Sequence, residues 1–255
     1  MSGCEGHSHD HEHAEPDETN ASLGQSLRPQ IDFPCVQCLN ESRPHSGRDI
    51  LKLYEDRLST TPTLLSQEDP DEDPELLLIV PFSEAVTMKS LCVLSYADDP
   101  NNRNTTTAVT AAPRTLRIYV NRPNLDFETV RDLAPTSTIT HVPPSHQFDP
   151  EHGSPDDSDT IGTIDYPLRP AGRFQNVSEI ALYFCDNHAM PEGSGGSSDM
   201  DDSDEDRLMT EITYVGFKGK GTNMKRKAVE TVYETQGMKK DHKVPGSEYF
   251  GREGL

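Results

Sequence analysis

Hydrophobic and polar positions alternate most regularly in three stretches of the chain. Leu116, Ile118 and Val120 alternate with Arg117 and Tyr119. Ile180, Leu182 and Phe184 alternate within residues 178–185, and Ile212, Tyr214 and Phe217 mark an apolar side of residues 210–218. A period of two buries one face and wets the other, so each stretch predicts a strand. Pro123 lacks a backbone donor and disfavours the helical region for Arg122, so the first of these strands must end before it. Asn121 would then turn the chain, and Leu125 and Phe127 would re-enter the core. The core itself opens at Glu75. Leu76, Leu77, Leu78, Ile79 and Val80 form a run too short for a helix, and Pro81 is expected to stop it. Residues 82–87 read as a turn and 88–96 as the next strand. Residues 227–235 are expected to pair as a last strand, while 127–133 fit either a strand end or a helical turn.

Smaller apolar groups lie outside these strands. Residues 31–40 form a short anchor, residues 47–57 carry Ile50, Leu51, Leu53 and Tyr54, and Leu168, Phe174 and Val177 are expected in the core. Between them run long polar segments. Residues 67–74 are acidic and broken by proline, 97–113 are rich in Asn, Thr and Pro, and 132–170 are mostly loop with an acidic insert at 152–159. Residues 187–206 are rich in Gly, Ser and Asp and read as flexible. Short strands, long loops and almost no helical periodicity argue for an all-β fold, an antiparallel β-sandwich or barrel with its inserts at the ends.

Composition narrows this to one folded domain with long solvated segments. Only 32% of the 255 residues are hydrophobic, there is no Trp, and the net charge is −21. Residues 1–19 form a disordered acidic, His-rich tail, 20–235 the folded domain with a flexible acidic insert at about 187–208, and 236–255 a C-terminal tail. No run approaches the roughly 20 apolar residues that span a bilayer, and the first residues do not read as a secretory signal. Five cysteines, an odd number without a dense framework, suit a reducing compartment. The sequons at Asn20, Asn40, Asn104 and Asn176 are accordingly read as unmodified. From Arg207 onward ten basic residues face six acidic ones, so the first 206 residues carry −25. Such a surface repels phosphate backbones and anionic lipid, which argues against nucleic acid and membrane as partners.

Candidate chemistry is sparse. Cys35-x-x-Cys38 invites a redox reading, but a thioredoxin-type motif places its first cysteine at a helix N-terminus after a strand, and Asp32, Phe33 and Pro34 supply no such context. Zinc would need two further ligands. His7, His9, His11 and His13, with Cys4, could wrap a soft metal ion or form a solvated tail. Residues 199–206 are acidic but lack the sixth-position Gly and twelfth-position Glu of a calcium loop, with Asp204 and Thr210 in those places. Ser203 precedes three acids and is a candidate for an acidophilic kinase. His141, His146 and His152 lie in one loop region with Asp149, Asp156 and Asp157 and are expected to be solvated. Lys225, Arg226 and Lys227 form a short basic run that borders a strand or serves as a weak nuclear address. No catalytic, cofactor-binding or metal-ligating residue is assigned.

Several blocks, in order, resemble the PITH domain, found at the C-terminus of some thioredoxin-like proteins and as a stand-alone module. They are Ile31-Asp32, Gln37-Cys38-Leu39-Asn40-Glu41-Ser42, Gly47-Arg48, the segment from Lys52 to Arg57 and the strand from Glu75 to Phe82. Leu116 to Phe127 with its Asn121-x-Pro123 break, Phe174-x-Asn176-Val177, and Tyr214-Val215-Gly216-Phe217-Lys218-Gly219 complete the set. The likeness is closer to the stand-alone type, and the inserts near 97–113, 141–165 and 187–208 depart from the compact pattern. The resemblance implies a jelly-roll β-sandwich similar to galactose-binding-like domains, residence in cytoplasm and nucleus, and no enzymatic activity. In thioredoxin-fused members this domain contacts the proteasome regulatory particle, so docking to that particle is the partner implied. Sugar binding would be an analogy of fold only, and with 6% aromatic residues the chain is poor in stacking platforms. The expected protein is therefore a monomeric, non-enzymatic interaction module without a cofactor. The alternative is a redox or metal-handling accessory protein using Cys35, Cys38 or the His-rich tail.

Overall fold

A computed structural model describes residues 23–68, 73–97, 109–141, 165–190 and 208–225. They form the expected antiparallel jelly-roll β-sandwich, built on one long bent strand. The strands are β1 (Gln25–Ser26), β2 (Gln37–Leu39), β3 (Leu64–Leu65), β4 (Leu76–Leu94), β5 (Thr110–Ala111), β6 (Pro113–Val120), β7 (Ser137–Thr140), β8 (Asp165–Pro167), β9 (Val177–Asn187), β10 (Met209–Ile212) and β11 (Tyr214–Lys225). Two short helices, α1 (Ser46–Asp49) and α2 (Phe127–Asp132), and three 3-10 turns complete the described residues.

Strand β4 corrects the expected stop at Pro81 and turn over residues 82–87. Its 19 residues run through Pro81 without turning back. Proline removes one donor but keeps its acceptor, and the Pro81 carbonyl accepts the Asp32 N–H at 2.9 Å. The ring's extended φ suits a strand that bends, and the ladder with β9 shifts register between Pro81 and Val86. The bend lets one strand serve both layers. Its first half pairs with β9 (Leu76 opposite Phe184) and with β2 (Leu78 opposite Cys38). Its second half pairs with β11 (Leu91 opposite Phe217) and with β8 (Leu91 opposite Tyr166). Beyond β9 lie β6 and then β7, the terminal strand. A small sheet of β3, β10 and β5 stands apart, and its β10–β5 ladder is parallel.

The alternating stretches face as expected. Leu116, Ile118, Ile180, Leu182 and Phe184 enter one core with Leu78, Val80, Phe82, Leu91, Val93 and Phe217, and Val120 packs at its margin. Leu168, Phe174 and Val177 join the same core. The single strand expected over 210–218 is instead two. Thr213 donates both N–H and Oγ1 to the Leu94 carbonyl, which diverts the chain from the small sheet into β11. Ile212, Val215 and Phe217 face the main core, and Tyr214 faces a separate cluster with Cys92 and Leu94. Leu125 and Phe127 pack not into the main core but on the opposite face of the β9 sheet, with Leu77, Tyr119, Ala181 and Tyr183. In the 47–57 patch Ile50 and Leu51 are buried, whereas Leu53 is 49% exposed. The last strand expected at 227–235 lies outside the described residues.

Asn121 is the fastener at the end of β6. It adopts a positive φ of 53°, tolerated by asparagine better than by most residues. Its Oδ1 accepts from Ser178 N–H, Ser178 Oγ and Glu179 N–H at 2.8, 3.0 and 3.2 Å, and its Nδ2 donates to the Asn176 carbonyl at 3.0 Å. Two separated sequence blocks, Asn121-x-Pro123 and Phe174-x-Asn176, are thus one structural joint. Asn121→Ala is expected to lower unfolding free energy by about 2 kcal/mol, through lost hydrogen bonds and an unfavourable φ for alanine. Urea unfolding followed by circular dichroism measures it.

Candidate functional site

The outer face of the β9 sheet holds a buried polar cluster beneath α2. Asp126 caps α2, its carboxylate accepting the Thr129 N–H at 2.7 Å, so the helical turn and not the strand end forms here, over Phe127–Asp132 with Leu133 already extended. The helix brings Arg131 to the Glu75 carboxylate, which also accepts a hydrogen bond from the Tyr183 hydroxyl. Tyr119 donates to the carbonyls of Val130 at 2.7 Å and Leu133 at 3.3 Å, fastening the far end of the helix. Arg117 lies with its guanidinium 6.0 Å from the Tyr183 ring and donates to the Arg131 carbonyl at 3.5 Å. Burial pushes the Glu75 carboxyl upward, while Tyr183 and Arg131 pull it back. The same burial, reinforced by Glu75, holds the Tyr183 phenol neutral. With one carboxylate oxygen on Arg131 and the other on Tyr183, Glu75 is committed to positioning the helix.

The loop after β2 is ordered by the same logic. Asn40, at φ 65°, donates through Nδ2 to the Glu75 carbonyl at 2.8 Å. Glu41 accepts from the backbone N–H of His45 at 2.6 Å and of Gly47 at 2.8 Å and from Ser46 Oγ at 3.2 Å, which caps α1. Gly47 is required by close approach, since a Cβ there would sit 2.5 Å from the Cys38 Cβ.

These contacts answer the redox question for Cys35 and Cys38. Cys35 ends a 3-10 turn and is exposed, and Cys38 lies in β2 with its Sγ directed to the Leu39 carbonyl at 3.8 Å. Neither stands at a helix N-terminus, and both are free thiols. Burial first, and the Glu41 charge second, push the Cys38 thiol far up, so it carries no thiolate at neutral pH. Burial lifts Cys92 and Cys185 to about 12 as well. Among the described residues no group of three His, Cys, Asp or Glu side chains is arranged to hold a metal ion.

His141 corrects an expectation. It is buried rather than solvated, with Nε2 donating to the Val93 carbonyl at 2.9 Å and its ring 5.8 Å from that of Tyr166. His188 donates to its carbonyl at 3.2 Å. Burial lowers its pKa to about 4, against the opposing effect of the bond to Val93. The unfolded chain therefore takes up a proton near pH 6.5 that the folded chain refuses. Stability should be full above that pH and should fall as pH drops toward 4, by about 3 kcal/mol at the lower limit. His141→Gln should flatten that slope, read as melting temperature between pH 7 and pH 4.5.

The opposite outer face has its own pair. Lys218 Nζ donates to Asp165 Oδ2 at 2.6 Å and lies 4.5 Å from the Tyr54 ring, which also carries Arg57 at 4.1 Å. Arg114 grips Asp186 at 2.8 Å near the start of β6. Sequence reading missed Glu75, Tyr183, Arg131, Lys218 and Asp165. The available signal was polar-face tyrosines at Tyr119 and Tyr183 and an acid immediately ahead of an apolar run. His7, His9, His11, His13, Cys4, His146, His152, Asp149, Asp156, Asp157, Ser203 and the 199–206 run lie outside the described residues, as do Arg226 and Lys227.

Charge divides unevenly between these two sets. The described residues contain 15 basic and 16 acidic residues, a net −1, against −21 for the chain. The negative charge from which nucleic acid and membrane are argued against therefore lies in the remaining segments of the sequence.

Comparison with known proteins matches the chain to the PITH domain over residues 17–237. PITH domain-containing protein 1 of Xenopus laevis is 28% identical over 247 residues, 93% of this chain and 94% of that protein. The proteins of the same name from Dictyostelium discoideum and Homo sapiens are 27% and 26% identical, covering 86% and 90% of this chain and 84% and 85% of theirs. Among solved structures, a family 32 carbohydrate-binding module, CBM32-3, from a Clostridium perfringens family 31 glycoside hydrolase is similar at a TM-score of 0.44 and 8% identity, over 80% of this chain and 99% of that one. The family 32 module of NanJ from the same organism, in complex with galactose, is similar at 0.39 and 8% identity, over 75% and 96%.

Proposed function

The chain belongs to the PITH domain family, and from that premise we propose that it is a non-enzymatic protein-interaction module that docks to the proteasome regulatory particle. The observation that carries this reading is the match over residues 17–237, with relatives aligned along nearly their full length. The geometry supports a scaffold role for the matched blocks. Asn40, Glu41 and Gly47 shape one loop, Glu75 anchors α2, and Asn121 and Asn176 fasten β6 to β9. A rigid sandwich whose polar groups are spent on its own loops is suited to presenting surface. The module is read as a monomer acting in cytoplasm and nucleus. The redox or metal-handling alternative gains nothing from a Cys38 thiol held protonated. Sedimentation of the purified chain with purified regulatory particle tests the reading. Co-sedimentation with saturable stoichiometry is expected, and a chain that stays in the free fraction at micromolar particle would overturn the named partner.

A further inference from the structure

We infer that the outer edge of β7 accepts an extended, acidic segment of a partner protein as an added strand, a reading that rests on the interaction-module assignment and gives it a surface. Strand β7 ends its sheet, pairing with β6 alone among the described residues. His141 N–H bonds the Arg114 carbonyl at 2.7 Å, and the register pairs Leu116 with Ile139 and Arg117 with Thr138. Antiparallel ladders alternate, so Ile139 and His141 direct their backbone groups to β6, while Thr138 and Thr140 direct theirs outward. The side chains of Thr138 and Thr140 are exposed, and Ile139 packs against the main core and fixes the strand in place. Sheet edges are commonly blunted by lysine, proline or a bulge, and Ser137–Thr140 carries none of these.

The charges beside the edge select the partner. Arg117 neighbours Thr138 on the outer face, and Arg173 donates to the Thr136 carbonyl at 3.2 Å at the start of the strand. Among the described residues both are held by carbonyls and neither by a carboxylate, whereas Arg131 and Arg114 are matched by Glu75 and Asp186. An added strand would satisfy the outward amides of Thr138 and Thr140, place an acidic side chain beside Arg173, and draw the Arg117 guanidinium from the Arg131 carbonyl and the Tyr183 ring toward the edge. Main-chain pairing supplies affinity in such complexes, and the flanking side chains supply selectivity.

The test is amide exchange and shift mapping by NMR with the peptide acetyl-Glu-Val-Glu-Val-Glu-Val-Glu-amide, and its Lys-Val counterpart as control. In the free protein the Thr138 and Thr140 amides are expected to exchange fast. The acidic peptide should protect them and shift residues 136–141, and Arg117→Glu with Arg173→Glu should weaken it at least tenfold. Thr138→Pro removes an outward donor that β6 does not use, so it should weaken binding at least tenfold while the amides of Ile139 and His141 stay protected. Slow exchange of Thr138 and Thr140 in the free protein would overturn the inference. Protection that rises with protein concentration would assign the edge to a second copy, and protection independent of concentration to another segment of this chain. Equal binding of the Lys-Val peptide, or full binding by Thr138→Pro, would also overturn it. A Thr138→Pro chain that co-sediments undiminished with the regulatory particle removes the edge and keeps the module, whereas a wild-type chain that binds no particle removes the named partner.

Discussion

Gly219→Ala is expected to cost about 3 kcal/mol, a large share of the stability of a typical domain, because overpacking against backbone cannot be relieved by a rotamer change. A Cβ at Gly219 would lie 2.1 Å from the Thr87 carbonyl oxygen and 3.0 Å from the Met88 Cα. On its other side Gly24 runs past the Gly219 backbone. Three chain segments meet at one residue, where the β11–β4 ladder shifts register between Lys218 and Gly219. Relief would require opening the ladder that joins β4 to β1 through β11. Gly172→Ala is the control. There the added methyl meets nothing within 4 Å, so a change of about 0.5 kcal/mol or less is expected. Denaturant midpoints with unchanged m-values give both numbers.

The second large effect is at Glu75. Glu75→Ala is expected to destabilise by about 3 kcal/mol, since it strands the buried Tyr183 hydroxyl and releases Arg131 and with it α2. Most of this comes from the tyrosine, because the Arg131 side chain is 43% exposed and water replaces its partner cheaply. Glu75→Gln keeps an acceptor for Tyr183 and should cost about 1 kcal/mol or less. Its pH dependence has a definite sign. A carboxyl raised by burial favours the fold most when protonated, and that contribution is lost as pH rises through the raised value. Glu75→Gln should therefore gain on the wild type as pH rises from 4 to 7. Tyr183→Phe combined with Glu75→Ala should cost less than the sum of the two single changes, a coupling of about 1–2 kcal/mol.

How much of this was legible in the sequence follows from the range of the forces involved. Alternation at 116–120 and 178–185 reports burial directly, and both strands and their inner faces follow from it. Pro81 misled because a missing donor stops a strand only where that donor is needed, and which edge of β4 faces which neighbour is a tertiary fact. The break at Thr213 was hidden for a similar reason: two bonds to the Leu94 carbonyl divert a segment whose local pattern is continuous. His141 looked solvated because its neighbours in sequence are polar, yet its neighbours in space are Val93 and Tyr166. The polar cluster at Glu75, Tyr183 and Arg131 joins residues 108 positions apart at its widest, and no local spacing reveals such a group. The matched PITH blocks were legible as signatures of fold, and the structure shows why: Asn121, Asn176, Glu41 and Gly47 make the turns and caps.

A chain that holds a protein partner through a stable surface needs no thiol chemistry, so Cys35 and Cys38 are expected to be dispensable for binding. Quantitative affinity capture from cytoplasmic extract tests this most directly, comparing the wild type with the Cys35→Ser, Cys38→Ser double variant. Equal enrichment of proteasome regulatory-particle subunits by both proteins is the predicted result. Absence of those subunits from the wild-type capture, or their loss on removing the two cysteines, would contradict it.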